Sequence, residues 1–237
     1  MSRVSIKTIA LTVFGIDVLA IAIAVSRAII LDRSPMRYFG ERGYMTWIST
    51  LQLVVAAVLC LQIGLIRKNS QSRYKEIKPA IFWWLASAGM FFFALDETFE
   101  IHENLDKQIR AWFGIPSNSF TGRLDDLIIL IYAGVGLLLV YLSRRELLQY
   151  QKALPWFYRG LVFSGLTIAL DMIGHNRETF APFASSLEEL NQIHHWVGAV
   201  EEIPKILAGG AFIVTLFACK FVAKSFRNRK AKRTASV

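Results

Sequence analysis

The sequence predicts an all-α fold: a six-span transmembrane helical bundle with both termini cytoplasmic. Three observations predict it. The chain has 237 residues, is 54% hydrophobic and has a mean hydropathy of +0.41, too apolar for an ordinary soluble domain. Six runs, at about 8–31, 45–66, 79–101, 124–143, 156–175 and 198–219, approach or exceed the roughly 20 residues that a helix needs to cross a bilayer. The charge is also one-sided. The N-terminus and segments 67–78, 144–159 and 220–237 hold 18 of the 27 basic residues but only Glu76 and Glu146 of the 18 acids. Six spans put those segments on one side, and the positive-inside rule makes that side cytoplasmic. The expected organisation is one transmembrane domain, 1–225, followed by a basic tail, 226–237. The expected location is a bacterial plasma membrane.

Span one follows Ser2, Arg3 and Lys7 and is longer than the apolar part of a signal peptide. Its one acid, Asp17, falls near mid-membrane and is read as polar glue between helices or as part of a proton path. A turn-rich loop, 32–43, carries Glu41 to span two, which opens with Thr46, Thr50 and Gln52. Span three is uncharged from Ala80 to Leu95 and then ends in Asp96, Glu97, Glu100, His102 and Glu103. At about 100° per residue, Asp96, Glu100 and Glu103 share a stripe. His102 joins them only if the helix ends or unwinds near Ile101.

Span four opens with Asp125 and Asp126. First-turn acids complement the helix dipole, and Asp125 shares a face with Tyr132. Span five carries a small and polar stripe: Gly160, Ser164, Thr167, Asp171, and Gly174 with His175. Before span six, Ser185 to Glu189 fits a capping box. His194, Gly198, Glu201 and Lys205 then share one face, with His195 and Glu202 beside it. Pro204 removes one backbone bond there. Cys60 and Cys219 lie inside spans and indicate no disulfide framework. All six tryptophans fall near span ends, as interfacial anchors do.

With this topology the acids and all four histidines, Asp17 and the two cytoplasmic acids aside, gather on the outer side. Carboxylates that close need shared protons, a cation, or Arg and Lys among them. Carboxylate with imidazole suits zinc, iron or manganese. The expected ligands of such a divalent metal are Glu103, Asp125, Asp171, His175, His194 and Glu201, with Glu97 and Glu100 as catalytic bases. There is no His-Glu-x-x-His motif and no Glu-x-x-His pair of the ferritin-like kind.

Phe39-Gly-Glu41 with Trp47, Leu95-Asp-Glu97 with Ile101-His-Glu103, Leu124-Asp-Asp126, and Glu201-Glu-x-x-Lys205 together resemble a loose group of uncharacterised bacterial polytopic membrane proteins. The resemblance implies a multi-helix fold with a polar centre and carries no reaction.

Three functions are open at this point. One is a metal-dependent membrane enzyme acting on a lipid-like substrate. Another is a proton- or cation-coupled transporter or channel. The third is a non-catalytic subunit or assembly factor, whose acidic face would dock a membrane protein partner. The expected surroundings are the lipid bilayer, with anionic lipids at the basic cytoplasmic face. The basic tail is read as lipid-facing and topology-setting, and no nucleic acid is expected.

Overall fold

The structure, a computed structural model, describes residues 5–68, 78–114, 124–174 and 177–234, without the side chains of 125, 126 and 228–234. The described residues are helical and contain no strand. The α-helices are α1 (Ile6–Ile30), α2 (Met36–Phe39), α3 (Tyr44–Arg67), α4 (Pro79–Phe99), α5 (Ile101–Phe113), α6 (Leu124–Leu142), α7 (Arg144–Leu147), α8 (Leu154–Gly174) and α9 (Leu187–Thr234). Among the described residues, five stretches are long and apolar enough to cross a membrane. A sixth arises if α6 and the α7 segment, bent by 68° at Ser143, form one broken span. The all-α helical bundle is as predicted, with five to six candidate spans where six were expected.

Local chemistry explains where the helices begin. Ser5 caps α1 by accepting the Lys7 amide at 3.2 Å. Pro79 occupies the first turn of α4, where its missing N–H leaves no bond unmade. Before α9, Ser186 Oγ accepts the Glu189 amide at 3.1 Å, and the Glu189 carboxylate accepts the Ser185 amide at 2.7 Å. From that cap α9 runs unbroken through Pro204 to Thr234. Its 48 residues span about 70 Å at 1.5 Å per residue, so it projects beyond a hydrocarbon core of about 30 Å.

α9 is the axis of the bundle, with α1, α2, α3 and α8 packed around it, while α4 packs on α3. α6 is peripheral and rests on α5 and α4, where Tyr132 packs edge-on to Phe92. Two apolar cores divide the length. One, around Leu59, Ile63, Phe82, Tyr150 and Leu216, also gathers Ile6 and Phe226 from near the two ends of the chain. Both free cysteines are buried in it. The other, around Ala28, Phe39, Met45 and Ile206, lies towards the opposite end.

Between the cores, Asp17 and Gln52 are buried together, 2% and 7% exposed, and Gln52 Nε2 donates to Asp17 Oδ1 at 2.8 Å. Their other oxygens press on α9, where a β-carbon at Gly209 would run into Gln52 and one at Gly210 into Asp17. Paired glycines let three helices close over a polar bond, a common solution in lipid. Gly210→Val is expected to lower stability by about 1–3 kcal/mol through overpacking. The measure is the thermal unfolding midpoint of purified protein in detergent. Gly165→Val, at a glycine with open space around it, is the neutral control.

Candidate functional site

The end of the bundle opposite the chain termini carries three groups of ionisable side chains. The first arises because α4 stops early. Glu100 adopts a left-handed conformation, φ 53° and ψ 44°, which ends α4 and starts α5 in a new direction. His102 turns back onto Asp96: its backbone N–H donates to Asp96 Oδ1 at 2.8 Å, and its Nδ1 lies 2.9 Å from Oδ2. The break that His102 required is thus present, and the histidine pairs with an acid of its own segment. Glu41, Glu100 and Glu103 meet beside it, with ligand atoms within 4.8 Å of one another. Arg42 bonds Glu100 at 3.2 Å, and Lys107 bonds Glu103 at 3.3 Å. The hydrogen bond from Glu41 holds Glu103 below the usual carboxylate range, helped by Lys107. Two cations already answer much of this cluster's charge.

The second group ties α9 to α4 and α3. Lys205 Nζ lies 2.6 Å from Glu202 Oε2 and 2.9 Å from Glu97 Oε1. Ser49 Oγ donates to the same Glu97 oxygen at 2.6 Å. Glu201, on the same α9 face at i+4, is within pairing reach of Lys205 by spacing. The ammonium instead takes Glu202 at i+3, because α4 brings Glu97 to that face.

The third group surrounds a cavity of about 410 Å³ between α8 and α9. Asp171 comes from α8, and His194, His195 and Glu201 come from α9. Met36 of α2 closes one wall. Gly174 and Gly198 make the room: a β-carbon on Gly174 would sit 2.8 Å from Glu201 Oε2, and one on Gly198 would sit 2.9 Å from Met36 Sδ. His195 Nδ1 lies 3.2 Å from Ser34 Oγ, which orients the ring. Asp171 and Glu201 thus bring two carboxylates to one cavity from neighbouring helices.

The predicted residues therefore divide. Asp171, His194 and Glu201 share the cavity. Glu103 and Glu100 belong to the Glu41 cluster, and Glu97 to the Lys205 network. The side chain of Asp125 and the whole of His175 lie outside the described residues. Among the described residues, only the Glu41 cluster brings three acid, histidine or cysteine side chains within 4.8 Å; the cavity residues stand further apart. His195 and Met36 were not singled out as site residues from sequence. For His195 the signal was its place beside His194 on the neighbouring face of α9.

The sequence pattern of the family described as a domain of unknown function (DUF8692) matches residues 7–220. The chain belongs to that family. No curated protein and no solved structure matches it. The DUF8692 match spans every residue of the three groups, from Ser34 to Lys205.

Proposed function

We propose that the protein is a membrane-embedded, metal-dependent enzyme whose site is the cavity between α8 and α9, and that it works on the polar end of a lipid-like substrate. Asp171, His194 and Glu201 would hold a divalent ion of the zinc, iron or manganese type, drawn together from their present spacing by side-chain rotation. Such an ion lowers the pKa of a bound water and polarises an ester or amide carbonyl. His195, fixed by Ser34 on the same wall, would move the proton. Glu97 and Glu100 are less suited to that role, being engaged by Lys205 and Arg42.

One observation carries the reading: two carboxylates and two imidazoles, from α8 and α9, line one cavity. Its volume suits a headgroup rather than a whole lipid.

Metal analysis of the protein purified without added chelator tests the proposal. The wild type is expected to retain close to one equivalent of a transition metal. Asp171→Asn and Glu201→Gln are each expected to weaken retention at least tenfold while keeping the wild-type helical content. A folded wild type that is metal-free and takes up none on titration would overturn the reading and favour a non-catalytic subunit.

A further inference from the structure

A second cavity, about 490 Å³, opens at the other end of the bundle between α1 and α8. α1 lines it with Lys7, Leu11 and Phe14, and α8 with Trp156, Arg159 and Phe163. These positions recur at i, i+4, i+7 and i, i+3, i+7, so each helix gives it one face. Phe14 and Trp156 approach to 5.6 Å between ring centroids. The Arg159 guanidinium folds back over the Trp156 ring at 4.3 Å. Helical side chains lean towards the N-terminus, so both cations are directed to the end of the bundle where α1 and α8 begin. Neither Lys7 nor Arg159 has a carboxylate partner among the described residues.

The chemistry along the groove is graded. Its walls are almost wholly apolar and aromatic, and its polar end holds two uncompensated cations. An acyl chain fits the first, and a headgroup with net negative charge fits the second. A zwitterionic headgroup would bring its own cation to a place that already holds two.

We propose that this groove binds one anionic phospholipid. Its phosphate lies between Lys7 and Arg159, and an acyl chain runs along Leu11, Phe14 and Phe163. Trp156 would mark the level of the glycerol backbone, as interfacial tryptophans do. The site is distinct from diffuse attraction to the basic tail, because it depends on two cations that flank one groove.

The test is native mass spectrometry of the full-length protein in detergent, titrated with dioleoyl phosphatidylglycerol or dioleoyl phosphatidylcholine. One phosphatidylglycerol is expected to bind well above the level of phosphatidylcholine. Each of Lys7→Gln and Arg159→Gln is expected to weaken it about fivefold, and the double variant about thirtyfold. Arg159→Lys is expected to retain binding, since a phosphate accepts a point charge. Lys232→Gln with Arg233→Gln removes the same net charge from the tail and is expected to leave binding unchanged. Equal retention of the two lipids, or a tail variant that loses as much as the groove variant, would overturn the proposal.

Discussion

Arg67→Ala is expected to destabilise the protein by about 3–5 kcal/mol, the usual consequence of leaving one member of a buried ion pair alone. Arg67 is 8% exposed and Glu146 6%. The guanidinium forks onto the carboxylate at 3.0 and 2.7 Å. Glu146 also accepts from Trp83 Nε1 at 3.2 Å, Tyr150 Oη at 2.7 Å and Gln149 Nε2 at 3.2 Å. The Arg67 guanidinium lies over the Phe226 ring at 5.3 Å. The pair thus joins α3, α4, the segment after α6 and α9 at the end where both termini lie. Without Arg67, Glu146 keeps its hydrogen bonds but loses its counter-charge in an apolar core. Arg67→Met combined with Glu146→Gln removes both charges and keeps an acceptor for Trp83 and Tyr150, so it is expected to recover most of the loss. Thermal or denaturant unfolding in detergent measures both. A single Arg67→Ala variant within about 1 kcal/mol of wild type would show that water reaches the pair.

Lys205→Met is expected to lower stability by about 2–4 kcal/mol, since two charge-assisted contacts are lost at a partly exposed position. The lysine separates Glu202 of α9 from Glu97 of α4. Without it the two carboxylates face each other across the helix interface, with Ser49 the remaining donor to Glu97. Restoring charge balance should restore the fold: Lys205→Met with Glu97→Gln and Glu202→Gln is expected to unfold close to wild type. If the triple variant stays as unstable as the single one, packing of the lysine stem sets the stability there, and charge does not.

Much of the fold was legible because hydropathy and charge vary on the length scale of a helix. The apolar runs found the long helices, five or six of which could cross a membrane, and helical periodicity put Gly198 and Glu201 on the same face as His194. Asp171 joins them because α8 and α9 are neighbours and the α8 stripe of small residues faces α9, where Gly160 packs on Phe212 and Gly174 on Glu201. The Arg67–Glu146 pair was not legible. Its members are 79 residues apart, and a basic residue at a span end followed by Lys68 reads as a topology signal. The turn at Glu100 was legible only as a condition on His102, since a glutamate in the left-handed region carries no glycine signal. It is also what divides the acids: with α5 turned away, Glu100 and Glu103 meet Glu41 and Arg42, and not Asp171. Periodicity along α9 put Glu201 on the face of Lys205 and within its reach, but could not show Glu97, from a helix over a hundred residues earlier, which pairs with it together with Glu202.

X-ray absorption at the metal edge of the zinc-loaded protein tests the central claim most directly. The account predicts a ligand shell of imidazole nitrogen and carboxylate oxygen. The imidazole signature is expected to weaken in His194→Ala and to persist when Glu41, Glu100 and Glu103 are all changed to glutamine. An all-oxygen shell that disappears with those three glutamates, or no ordered zinc at all, would contradict it.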